Sequence, residues 1–245
     1  MTIFDFLMLF LAVMIGGIAA LRIGQKNAKA YLNLFLSFSG AYLLGITAIH
    51  LLPETFNPPN SSIGFWILGG FLLQLVLEML SKGIEHGHVH PNDSSVSKTF
   101  IFPIMLGLCI HAFIEGMPLD VLHQHHDHST LDHHHQPLLY GIIFHKIPAA
   151  FSLGLLLSLS GFSRNAAILF LVLFGVMSPL GAFVGTQLNF SIEEFQYLMG
   201  LVIGTFLHIS TTILFEADEK SHHRISFKKL GVILIGLSLA ILTAH

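Results

Sequence analysis

Charge is what this 245-residue chain lacks most. Asp, Glu, Lys and Arg together make up 10% of it, against about 25% in a typical soluble domain. A soluble fold needs polar side chains to face water, so an ordinary soluble enzyme is excluded. Eleven Lys and Arg against 14 Asp and Glu leave a formal charge of −3. That leaves no basic face for nucleic acid, whose binding rests on neutralising phosphates. Cysteine is nearly absent: Cys109 stands alone, which excludes an intrachain disulfide and a thiolate zinc cage. With 53% hydrophobic residues and a mean hydropathy of +0.74, disorder is excluded as well. The composition is that of a polytopic membrane protein, with one oddity: 17 histidines, more than Lys and Arg together.

A helix crosses the hydrocarbon with roughly 20 apolar residues. Eight such stretches are predicted, at about 3–21, 32–52, 63–81, 100–120, 138–159, 166–188, 196–215 and 228–244. Runs such as LFLAVMIGGIAAL do not alternate polar with apolar, as barrel strands would. The reading is one all-α integral membrane domain over 1–245. The opening MTIFDF has no basic stretch before its apolar run, so it reads as a first span and not a signal peptide. The longest polar segments are 83–99, 121–137 and 216–227, too short for a soluble domain. Arg22, Lys26, Lys29, Lys82, Lys98, Arg164, Lys220, Arg224, Lys228 and Lys229 all fall on one side if there are eight spans. The positive-inside rule makes that side cytoplasmic and puts both termini outside. Small-residue pairs such as Gly181/Gly185 and Gly200/Gly204 are expected to bring helices close in lipid.

The remaining cation, Lys146, lies inside span 5, roughly eight residues or about 12 Å deep at 1.5 Å per residue. That is deep for snorkelling, so its ammonium needs an anion, and Glu115 of span 4 is the nearest candidate. Ionisable groups inside a membrane are costly and each is a functional hypothesis. Span 4 carries His111, Glu115 and Asp120 in HAFIEGMPLD; span 5 carries His145 and Lys146 in HKIPAAFSLG. His111 and Glu115, at i and i+4, share a helix face. Pro118 and Pro148 are expected to kink their spans. Two imidazoles and a carboxylate make an N/N/O set suited to zinc, with water in a fourth place. They suit Mg²⁺ and Ca²⁺ poorly, because those ions want oxygen shells. The plainer alternative is that these histidines hydrogen-bond neighbouring helices and bind nothing.

The chain resembles the ZIP (Zrt-, Irt-like) metal transporters over nearly its whole length. HAFIEG resembles the family's H-[NA]-x-x-[ED]-G motif, and HKIPAAFSLG its H-[KED]-x-P motif in the lysine variant. HLLPE (50–54) and SPLGAFVG (178–185) also fit family habits. The resemblance implies a 3+2+3 helix bundle that takes up divalent metal, usually zinc, into the cytoplasm. It implies a transport site between spans 4 and 5 with His111, Glu115 and His145 as ligands. Some members hold a second metal beside the first. Here Ala112, Lys146, Ala149 and Ser178 stand where its ligands would be, so a single-metal site is expected, with Lys146 as counter-charge to Glu115. Water, His50 or His208 would complete it.

Seven histidines, His123, His125, His126, His128, His133, His134 and His135, crowd the outer segment 121–137, where neutral imidazole could collect metal. His86, His88 and His90 lie in the cytoplasmic loop 84–92, as candidates to receive it. Glu54 and Asp120 are expected on the outer part of the path, Glu78 and Glu216 at its cytoplasmic end. No P-loop is present, so alternating access driven by a gradient is expected, with no catalytic cofactor. Zn²⁺ is the expected cargo, and Fe²⁺, Mn²⁺ and Cd²⁺ stay open. The expected setting is a bacterial inner membrane, with a homodimer as a candidate assembly. The rival reading is a membrane-embedded zinc-dependent hydrolase, against which stands the lack of HExxH. A six-span cation exporter would show paired HxxxD sites within its spans, where none lies, and a metal sensor is a weaker third.

Overall fold

Hydrocarbon offers no water to backbone N–H and C=O groups, so long apolar runs close their hydrogen bonds internally as helices. The structure is a computed structural model that describes residues 2–23, 25–57, 59–84, 100–119, 136–215 and 226–243. These residues are all-helical: α1 Ile3–Arg22, α2 Gln25–Ile46, α3 Leu52–Thr55, α4 Ile63–Ser81, α5 Ile101–Gly116, α6 Gln136–Leu159, α7 Arg164–Gln187, α8 Ile192–Phe215 and α9 Phe227–Thr243. A π-helical turn, Thr47–Leu51, joins α2 to α3 without breaking the rod. Among the described residues, six helical stretches are long and apolar enough to cross a membrane: Ile3–Arg22, Tyr31–Thr55, Ile63–Ser81, Pro137–Leu159, Arg164–Gln187 and Ile192–Phe215. Ile101–Gly116 is apolar but shorter, at 16 residues, and α9 has 17.

Helix ends follow local chemistry. Thr2 and Asp5 form a reciprocal capping box on α1. Ser191 and Glu194 exchange the same two contacts at the start of α8, with Ser191 N donating to Glu194 Oε2 at 2.8 Å. Lys82 closes α4 in the left-handed conformation, at φ 54°. Pro118 marks an interruption inside its span. Helix α5 ends at Gly116, and Met117 N donates to Ile114 O at 3.2 Å. A proline has no N–H to extend the ladder, so the bonding of α5 is interrupted at Met117, which keeps helical dihedrals (φ −54°, ψ −42°), and Pro118 and Leu119 are helical again. Pro148 is accommodated inside α6.

Backbone contacts at glycine decide the packing. A Cβ on Gly181 of α7 would lie 2.0 Å from the Phe113 carbonyl oxygen of α5, and one on Gly185 2.1 Å from that of Met117. Gly204 of α8 meets the Ile67 carbonyl oxygen of α4 in the same fashion and Gly16 of α1 that of Ile147 of α6, while Gly200 is looser, 3.3 Å from the Ile63 oxygen. The small-residue pairs read from the sequence are thus close-approach sites, as expected in lipid. Residue numbers ascend together in these contacts, so α5 with α7 and α4 with α8 run parallel. Helix α6 is the most enclosed of the six and α4 the least. Phe65, Leu68, Leu72 and Met79 of α4 point outward, as side chains facing lipid do.

Candidate metal site between α5 and α6

Helix α5 packs closely on α4 and α7, while α6 packs on α1 and α2; α5 and α6 are not themselves a closely packed pair. Polar side chains bridge the space between them. His111 and Glu115 come from one face of α5, and His145 and Lys146 from α6. All four are buried, at 3% exposure or less. Lys146 Nζ lies 2.6 Å from Glu115 Oε1, the partner that its depth in the span demanded. His111 Nε2 lies 3.2 Å from the other oxygen, Glu115 Oε2. The His111 and His145 rings meet edge to face with centroids 6.0 Å apart.

Helix α7 supplies the back wall. Ser178 Oγ lies 2.6 Å from the Ala112 carbonyl oxygen and 3.1 Å from Glu115 Oε1, sharing its one proton between them. One turn earlier, the Phe174 ring faces the Lys146 ammonium at 4.7 Å. Gly116 fixes this register, since a Cβ there would fall 2.2 Å from the Ser178 carbonyl oxygen. The carboxylate is therefore divided. Oε1 belongs to Lys146 and Ser178, and Oε2 faces the imidazole. Charge balance keeps the arrangement affordable in a membrane, because an isolated buried carboxylate or ammonium costs several kcal/mol.

His50 and His208 sit with carboxylates of their own. His50 Nε2 is 3.3 Å from Glu54 Oε2 on the rod formed by the π turn and α3. His208 Nε2 on α8 is 2.5 Å from Glu78 Oε2 on α4, with the Phe71 ring edge-on at 4.7 Å. Among the described residues no group of three or more His, Cys, Asp and Glu side chains is placed to hold a metal ion. So His50 and His208 are not gathered with His111, Glu115 and His145 into one such group. Zinc–imidazole bonds of about 2.0–2.1 Å would require the two rings to turn and Glu115 to exchange its His111 contact for the ion. Asp120, Glu216, His86, His88, His90, His123, His125, His126, His128, His133, His134 and His135 lie outside the described residues.

Sequence reasoning missed two features. The Glu78–His208 pair joins residues read as separate, and only the α4–α8 contact reveals it. Phe174 carried no signal, being one of 22 phenylalanines in an apolar chain.

The sequence model of the ZIP zinc transporter family matches residues 95–244, more than half of the chain. This chain belongs to the ZIP family. Zinc transporter ZIP1 of Danio rerio is 26% identical, over 88% of this chain and 85% of its own length. Zinc transporter ZIP9 of Micropogonias undulatus is 28% identical over 62% of this chain, which spans half of that protein. An uncharacterised protein of Methanocaldococcus jannaschii is 26% identical over 83% of this chain and 82% of its own. Membership of the ZIP family makes the chain a multi-pass membrane transporter of divalent metal and not an enzyme. Zinc is then cargo, not a catalytic cofactor, and the embedded-hydrolase reading is set aside.

Proposed function

We propose that this ZIP protein carries zinc into the cytoplasm by alternating access through a single-metal site formed by His111, Glu115 and His145. The observation that carries this reading is the buried Glu115–Lys146 ion pair flanked by two imidazoles, all midway between α5 and α6. Lys146 stands beside the carboxylate as a tethered counter-cation, in the role a second metal would play. Glu115 Oε2 and the two histidines receive the ion, with water as a fourth ligand. Such a site holds a borderline ion without an oxygen shell.

Eight crossings, arranged 3+2+3 in one domain over 1–245, agree with the ten cations sorted to a single side. Both termini are then outside. The parallel runs of α5 with α7 and of α4 with α8 also fit helices that alternate in direction. The backbone-close contacts of α5 with α7 and of α1 with α6 favour their moving as packed units during alternation. His50, Glu54 and Asp120 line the outer mouth, and the loop 121–137 gathers metal above it. Glu78, His208 and Glu216 lead towards the cytoplasm, where His86, His88 and His90 of loop 84–92 receive the ion. The setting is a bacterial inner membrane, with a homodimer as the assembly.

The test is zinc flux in proteoliposomes loaded with a zinc-sensitive dye. Wild type admits zinc and His111→Ala does not. A correctly folded His111→Ala protein with full flux would refute the site, and no flux in the wild type would refute uptake.

A further inference from the structure

We infer that Phe174 is a positioning residue whose ring face pins the Lys146 ammonium on Glu115 Oε1 and thereby sets how tightly the site holds zinc. The inference rests on the single-metal reading above, and it adds a residue that no motif of the chain points to.

Three observations carry it. The Lys146 side chain is 1% exposed, and its ammonium has one carboxylate oxygen at 2.6 Å. Beyond that oxygen, no acceptor among the described residues reaches Nζ. A buried ammonium with so little compensation needs another source, and the face of an aromatic ring supplies it electrostatically. Phe174 is that ring, 4.7 Å from Nζ and itself 1% exposed, so water does not weaken the attraction. Phe174 and Ser178 are one turn apart on α7. The first addresses the ammonium and the second the carboxylate oxygen it binds. One face of α7 therefore fixes both partners of the ion pair.

The consequence for zinc follows from charge. A doubly positive ion arriving at Glu115 Oε2 repels the ammonium on Oε1. Lys146, still the counter-cation, has to draw back from Oε1, and its contact with the Phe174 face loosens as it does. The attraction to the ring is therefore part of what zinc must overcome. Weakening the face leaves Lys146 freer to yield, and zinc binds more tightly. A desolvated cation–π contact of about 1.4–2 kcal/mol corresponds to roughly a tenfold to thirtyfold change in zinc dissociation constant.

The experiment incorporates mono-, di- and trifluorophenylalanine at position 174 of the full chain. Fluorine drains the ring face while nearly keeping its shape. Zinc binding is titrated in detergent micelles against a competing chelator dye, with His111→Ala defining the part that belongs to the site. The expected result is a stepwise tightening along the series, reaching roughly tenfold, and none along the same series in a Lys146→Met background. Phe174→Leu, which keeps apolar volume without a ring face, should match the most fluorinated ring. A flat or weakening series, with the His111-dependent component intact, overturns the role of Phe174 and leaves the site standing. Binding that His111→Ala does not alter overturns both.

Discussion

Lys146→Met removes the ammonium while keeping most of the side-chain volume, and it strands a buried charge. Glu115 then retains Ser178 at 3.1 Å and His111 at 3.2 Å but loses the cation at 2.6 Å. Removing one partner from a buried pair costs about 3–5 kcal/mol, because the other charge is left uncompensated. The methionine stem refills much of the space against Phe174, so the lower figure applies. At about 2–4 °C per kcal/mol for a chain of this size, the unfolding midpoint should drop by about 6–12 °C. Replacing both charges, as in Glu115→Gln with Lys146→Met, leaves a neutral pair and should recover most of that loss. Zinc sharpens the contrast. At a hundred times its dissociation constant it adds about 2.7 kcal/mol to any form that binds it. It should rescue Lys146→Met more than wild type, since the ion meets an unopposed carboxylate, and hardly rescue the double variant. The assay is thermal unfolding in micelles with and without zinc. Equal losses in the single and double variants would refute the reasoning, because they would trace the effect to packing and not to a stranded charge.

Other perturbations separate packing from polarity. Gly181→Ala puts a methyl 2.0 Å from the Phe113 carbonyl oxygen; it should part α5 from α7 and abolish zinc flux, whereas Gly69→Ala, with nothing within 4 Å, should leave flux and midpoint unchanged. His208→Ala leaves the half-buried Glu78 carboxylate without its 2.5 Å partner and should lower stability by about 1–3 kcal/mol, measured by chemical or thermal unfolding. Glu78→Gln keeps an amide opposite the imidazole and should cost less than His208→Ala; the reverse order would mean that His208 owes its place to Phe71 and not to the carboxylate.

The sequence made the helical architecture legible because hydrocarbon leaves the backbone so little choice. It made the Lys146–Glu115 pair legible for a related reason: a lysine far below the membrane surface has to find an anion, and few are within reach. The same logic did not join Glu78 to His208. Glu78 has an acceptable life near the end of α4 and His208 as a hydrogen-bond donor to any neighbouring helix, so nothing in either residue demands the other, and only the glycine-driven approach of α4 to α8 decides it. The π turn at Thr47–Leu51 left no trace either, since it changes the hydrogen-bond partner by one residue and asks for no special side chain. The break after Gly116 was legible from Pro118, whose missing N–H has to interrupt the ladder; the helical dihedrals kept at Met117 were not.

Phe174 shows where such reading stops. A charge inside a membrane declares itself, because its cost is high and its remedies are few. The apolar groups that steer that charge do not, because an aromatic ring facing an ammonium and one facing another ring have the same sequence. What distinguishes Phe174 is its place one turn before Ser178, on the wall that holds both halves of the ion pair. On the proposed single-metal reading, zinc affinity belongs as much to that wall as to the ligands. The wall decides which carboxylate oxygen the lysine holds, and therefore which one is left to face the imidazole of His111.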